Sequence, residues 1–200
     1  GLLLLLNENI PDYFDVYFNG WDRTNSISLS GVGIHHPGGD VKKISTYGNH
    51  LPSSATWLNS DSNKEGAQNA HWNIIFDETS NGHSVTEGGS SGSPIFNQNK
   101  LIIGTLSGGN STCDNPEGIN LYGKLFYHWD KYSQADTGRM DKWLDPIGSG
   151  VTSLNGMSQS GKEYNTSLQK PTEVKATLSL DNTIKISWKE PVYKQIIGWG

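Results

Sequence analysis

The sequence predicts an all-β fold, and three observations carry that expectation. Short apolar runs recur along the chain with clusters of Gly, Asn, Asp and Ser between them, the spacing of strands and turns in a sandwich or barrel. The 200 residues include 24 glycines, which supply the turns. Charged residues make up only 18%, while seven Trp, eight Tyr and five Phe supply large units for burial. The net charge of −5 leaves no basic face to release counterions from a phosphate backbone, so no nucleic-acid partner is expected. No apolar run approaches the roughly 18 residues of a membrane span.

Taken in order, Leu2 to Leu6 ahead of Asn7-Glu8-Asn9 read as a buried strand that begins upstream. The run is shorter than the roughly 7–15 apolar residues of a signal-peptide core. With no initiator Met at one end and a stop just after a strand-like stretch at the other, the chain is expected to be an internal part of a longer secreted protein. Further strands are expected at 15–18, 26–29, 32–35, 71–76, 101–106 and 121–126. The almost wholly polar stretch from Trp57 to Asn69 is expected to be an exposed loop. One helix is expected over 137–144, capped by Asp136 or Thr137, with Met140, Trp143 and Leu144 on one face and Pro146 as its limit. Residues 148–169, rich in Ser and Gly, read as a linker. The pattern then restarts, with Pro171 to Ala176 ahead of the strictly alternating Ile184-Lys185-Ile186-Ser187-Trp188, and Pro191 after it. The division is therefore 1–147, a linker over 148–169, and a second unit at 170–200.

The segment from Thr86 to Phe96, with Gly89-Ser90-Ser91-Gly92-Ser93-Pro94 at its centre, is the candidate for chemistry. Such a run is also what a plain flexible turn looks like. Here an apolar pair, Ile95-Phe96, follows at once, which pins the loop to a buried hairpin. Glycines let the backbone turn sharply and aim successive N–H groups into one pocket, a geometry suited to an oxyanion. None of the six histidines, His35, His36, His50, His71, His83 and His128, is expected to serve as a local base. His35 and His36 are strand neighbours on opposite faces, so they cannot both reach Ser91 or both hold one metal. No metal site is expected. Cys113 is the single cysteine; it reads either as a small buried hydrophobe or as half of a disulfide whose partner lies elsewhere.

These residues resemble the chymotrypsin-fold serine proteases, and the Ser at position 90 is similar to the bacterial lysyl endopeptidases. Gly20-Trp21-Asp22-Arg23, Ile34-His35-His36-Pro37 with Lys42-Lys43-Ile44-Ser45, Leu106-Ser107-Gly108-Gly109, Tyr122-Gly123 and Trp143-Leu144-Asp145-Pro146 follow that family's order. The resemblance implies the second, six-stranded barrel of such a protease with its C-terminal helix. It implies Ser91 as nucleophile, with the Gly89 and Ser91 N–H groups as oxyanion hole. Ser107, Gly108 and Gly109 become the strand edge that pairs with substrate backbone, and Asn120, Tyr122 and Gly123 become the specificity pocket. The triad His and Asp would come from a missing N-terminal barrel, to which the family's counterpart of Cys113 is bridged. The implied reaction uses no metal or organic cofactor, acts on a protein or peptide, and takes place in a secreted or cell-surface setting. Two departures bear on specificity: Asn120 and Ser107 stand where lysyl endopeptidases carry Asp and His. The final segment resembles the first two strands of a fibronectin type III module. The competing expectations are a non-catalytic adhesin or glycan-binding β module, with Trp21, Trp57, Trp72 and Trp129 as stacking platforms, and a protease fold that lacks its upstream catalytic residues.

Overall fold

The computed structural model describes residues 3–59, 64–161, 172–178 and 184–189, and it is all-β apart from short helical turns. Its strands are β1 (Tyr17–Phe18), β2 (Trp21–Asp22), β3 (Gly31–His35), β4 (Lys43–Tyr47), β5 (Ser53–Ala55), β6 (Leu58–Asn59), β7 (Lys64–Glu65), β8 (His71–Ile74), β9 (Glu78–Thr79) and β10 (Gly82–His83). They continue with β11 (Pro94–Asn97), β12 (Ile102–Gly109), β13 (Asn120–Lys124), helices α1 (Leu125–Asp130) and α2 (Asp141–Leu144), then β14 (Ser153–Leu154), β15 (Met157–Ser158), β16 (Thr172–Leu178) and β17 (Ile184–Lys189).

The principal sheet runs β4-β3-β11-β12-β13-β8-β5, with β2 added beside β12 and β14 beside β2. Alternation decides which side chains turn inward: Ser45 and Tyr47 from β4, Trp72 and Ile74 from β8. Tyr47, Trp72 and Ile74 meet Phe76, Ile95, Ile103, Leu106 and Tyr122 in one core. A main-chain bond from Asp77 N–H to the Thr46 carbonyl (2.8 Å) ties the segment after β8 to β4. A second cluster, Trp21, Leu125 and Trp129, takes in Ile102, Met140 and Leu144. Trp21, Trp72 and Trp129 are thus core residues, while Trp57 is half-buried.

Several expectations need correction. Leu3 to Leu6 form no strand and stand 46–92% exposed, because nothing among the described residues pairs with or covers them. Residues 26–29 are likewise not a strand; Ser28 is drawn inward by its hydroxyl bond to Tyr47 (2.7 Å), while Ile27 and Leu29 face out. The strand expected at 121–126 stops at Lys124 and turns into α1. The aromatic run hides a helical period there, since Leu125 and Trp129, four apart, both reach Trp21. The helix expected over 137–144 is a 3₁₀ turn at Asp136–Gly138 followed by α2, separated by extended Arg139, whose guanidinium makes a two-point bond to Asp141. Met140 and Leu144 pack inward, but Trp143 is exposed.

The stretch expected as a linker is structured as far as Gly161. The Asp145 carboxylate accepts from Ser149 N–H, the Ser149 hydroxyl and Gly150 N–H. Arg23 donates to the carbonyls of Gly150 and Val151 and stacks on Trp129. The chain is thereby held so that β14 pairs with β2 and β15 with β1. The stretch from Trp57 to Asn69 is not wholly loop either, since β6 pairs with β7. At the far end, β16 and β17 form an antiparallel pair where two strands were expected. Leu2, residues 60–63, the linker beyond Gly161, Pro171, Pro191, the packing of Trp188 and the C-terminal residues lie outside the described residues.

Candidate active site

Loop 86–93 leads into β11 and is fixed from several sides. Gly92 N–H donates to the Leu106 carbonyl (2.8 Å), and Leu106 N–H donates to the Ser93 carbonyl (2.9 Å), which ties the loop exit to β12. Gly38 N–H, in the turn after β3, donates to the Gly88 carbonyl (2.8 Å). Gly89 (φ +99°) and Gly92 (φ +80°) adopt the left-handed conformation that other residues avoid. A Cβ on Gly89 would also stand 2.8 Å from the His36 carbonyl. The glycines at both positions are therefore required by conformation, and at 89 by space as well.

Ser91 lies at the exposed tip. Among the described residues no hydrogen bond is made by its hydroxyl, nor by the N–H groups of Gly89 and Ser91. The N–H groups of Ser90, Gly92 and Ser93 are all spent, on the carbonyls of Glu87, Leu106 and Ser90. Ser90 is turned inward and fully buried, with its hydroxyl 2.8 Å from His35 Nδ1; His35 Nε2 lies 2.7 Å from the buried Ser45 hydroxyl. Burial, and then the neighbouring His36, hold the His35 pKa below its ordinary value. His36 is turned the other way, to the Asp40 carbonyl.

A cleft of about 330 Å³ opens beside the loop, bounded by Thr86, Glu87, Ser91, Leu106, Gly108 and Ser111 among others. Of the residues expected at the site, Ser91, Gly108 and Gly109 line it, and Gly89 sits in the adjoining loop. Ser107 is exposed, 2.9 Å from His71 Nε2. Asn120, Tyr122 and Gly123 lie behind the cleft rather than in its lining, since β13 is buried on both faces between β12 and β8. Asn120 is completely engaged. Its Oδ1 accepts from the hydroxyls of Thr86 and Ser111 (both 2.6 Å), and its Nδ2 donates to the carbonyls of Ile74 and Gly118. Tyr122 is a core residue, its pKa raised by burial.

Thr86 and Ser111 as the grip on Asn120, and Ser45 as a partner of His35, were not foreseen from the sequence, because a serine or threonine in a strand or turn carries no mark of its bonding partner. Trp57, expected in an exposed loop, packs over Gly108, where a Cβ would stand 2.9 Å from its ring. Cys113 is an exposed free thiol. Nearby, Lys124 is fully buried; its ammonium donates to Asn25 and Ser54 and lies 4.0 Å above the Trp72 ring. No carboxylate pairs with it among the described residues.

An exposed serine on a glycine loop locked to a β-hairpin, with its own amide and that of Gly89 unspent among the described residues, is an arrangement suited to acyl transfer. The family model for the C-terminal domain of lysyl endopeptidase matches residues 1–123, which include loop 86–93 and the cleft. That match covers more than half of the 200 residues, and the chain belongs to the lysyl endopeptidase C-terminal domain family.

Proposed function

We propose that this chain is the nucleophile-bearing half of a secreted serine endopeptidase. The observation that carries the reading is the exposed Ser91 on a glycine loop that leaves the N–H groups of Gly89 and Ser91 unspent among the described residues. In this reaction Ser91 Oγ attacks the scissile carbonyl carbon and passes its proton to a histidine. The two amides receive the negative oxygen, the C–N bond breaks as the histidine returns the proton to the leaving amine, and water then hydrolyses the acyl-enzyme. The histidine and its orienting aspartate come from an N-terminal barrel that precedes this half. Leu3 to Leu6, exposed here, become buried against that barrel. Ser107 to Gly109 offer the strand edge to the substrate backbone. The exposed thiol of Cys113 is placed to bridge to the same N-terminal part, and β16 with β17 open a fibronectin type III-like module.

Behind Ser91, Asn120 stands where the family carries a pocket aspartate, and its amide is already satisfied by four groups. At that position the chain offers no charge to a lysine, and a polar neutral or small side chain suits it better; Glu87 is the carboxylate that lines the cleft. The test is a fluorophosphonate probe applied to the full-length protein. Labelling maps to Ser91, and Ser91→Ala abolishes both labelling and proteolysis; retained proteolysis in that variant would overturn the assignment.

A further inference from the structure

We infer that His35 is a positioning residue of the nucleophile loop, a neutral imidazole that bonds the Ser90 hydroxyl through Nδ1 and the Ser45 hydroxyl through Nε2. The inference deepens the protease reading and rests on it for its kinetic consequence.

The ring state follows from satisfaction of buried groups. Ser90 and Ser45 have no exposed surface, and the Ser90 oxygen has two hydrogen-bonding neighbours, His35 Nδ1 at 2.8 Å and Glu87 N–H at 3.4 Å. The Glu87 N–H can only donate, so among the described residues the Ser90 hydroxyl hydrogen has one acceptor, His35 Nδ1, and the Ser45 hydroxyl hydrogen has His35 Nε2 at 2.7 Å. A charged ring donates from both nitrogens and leaves both hydrogens unpaired, whereas a neutral ring accepts one of them and donates to the other oxygen. Burial and His36 both disfavour a charged ring, which agrees with the neutral form.

The support is rigid. His35 ends β3, which is paired with β4 on one side and β11 on the other, and its ring lies parallel to Phe76 (5°, centroids 6.4 Å apart). The same β3 turn holds the Gly88 carbonyl through Gly38 N–H. The loop is thus gripped at 88 and again at 90. The residues between and after those grips, Gly89 and Ser91, keep free amides, and Ser91 stays at the surface. His35 touches no reacting atom. It fixes the segment whose neighbours do.

Two measurements on the full-length protein test this. The first is long-range ¹H–¹⁵N correlation of its histidines at neutral pH, which reads the ring independently of proteolysis. His35 is expected as a neutral ring, and a charged imidazolium at neutral pH would overturn the inference. The second compares His35→Ala with His35→Asn, whose side-chain carbonyl can still accept from Ser90. His35→Ala is expected to lower kcat about 100-fold, the order seen when an oxyanion donor or reacting group is misplaced, with KM changed less than about threefold. His35→Asn recovers most of that loss. Full activity in His35→Ala, with Ser91 still essential, would sink this inference alone; an Asn variant as slow as Ala and equally stable would also count against it. Proteolysis that survives Ser91→Ala would bring down the protease reading, and this inference with it.

Discussion

Two buried polar clusters sit at the two ends of β13, around Asn120 and around Lys124, and they are built on opposite terms. Around Asn120, every strong donor and acceptor of the carboxamide has a partner: two hydroxyls give to its oxygen, and two carbonyls take from its nitrogen. Around Lys124, the groups are basic and uncompensated. The ammonium has no carboxylate among the described residues, His71 Nδ1 is buried without a partner among them, and His128 lies close enough for His71 to affect its titration. The first cluster is complete within this chain. The second is left without a charge partner among the described residues, and Leu3 to Leu6 likewise stand exposed with nothing among those residues to cover them. A polar region that satisfies itself adds to stability, while a buried cation left unpaired costs it.

The largest expected effect comes from emptying the complete cluster. Asn120→Ala leaves two buried hydroxyls without their acceptor and two carbonyls without their donor, each worth about 1–3 kcal/mol when orphaned. Some rotation of the hydroxyls recovers part, so a loss of about 3–5 kcal/mol is expected. Urea unfolding reads it as a lowered midpoint at unchanged slope. A loss below about 1 kcal/mol would mean that the Asn120 bonds are not structural, and the contrast between the clusters would collapse.

What the sequence disclosed divides along the same line. Loop 86–93 was legible because its backbone is left-handed at Gly89 and Gly92, and glycine is the residue that writes such a conformation into a sequence. Strands at 31–35, 71–74 and 102–109 were legible from apolar runs between turns. Leu3 to Leu6 misled because their hydrophobicity implies burial, and nothing in the described chain buries them. Helix α1 was hidden by aromatic residues that favour strands in isolation. Residues 148–161 look like a linker by composition, yet their Ser and Gly are spent on Asp145 and Arg23, far away or out of pattern. The tie of His35 to Ser90, 55 residues on, has no local signature.

A smaller effect is expected from pH. Burial, as the leading cause, lowers the His128 pKa from 6.5 to about 4. Between those values the unfolded chain binds a proton that the folded chain refuses, so stability is full above about pH 6.5 and falls as the pH drops toward 4. His71 is lowered too, again first by burial, and Lys124 adds to the effect with the same sign. Since the ring of His128 keeps some solvent contact, the loss is discounted to about 1–2 kcal/mol. His128→Gln should flatten the stability curve over this window. An unchanged curve in that variant would show that the basic cluster does not govern the acid limb.

The smallest effect in this chain belongs to Lys124→Met, and its value lies in being small. Met keeps the length of the side chain and can lay its sulfur against Trp72 in place of the ammonium. The partners given up are the carboxamide oxygen of Asn25 and the hydroxyl of Ser54, both on exposed residues where water can replace the lost donor. Against those two bonds stands the relief of a buried, unpaired cation. The net change should stay within about 1 kcal/mol in either direction. The comparison with the full-length protein is then decisive. If a carboxylate from the N-terminal barrel pairs with Lys124, the same substitution strands that carboxylate and should cost about 3–5 kcal/mol there. Equal small effects in both would show that the basic cluster is no docking point for an acid. A large cost already in the 200-residue chain would show that Lys124 is as self-sufficient as Asn120, and the distinction between the two clusters would be lost.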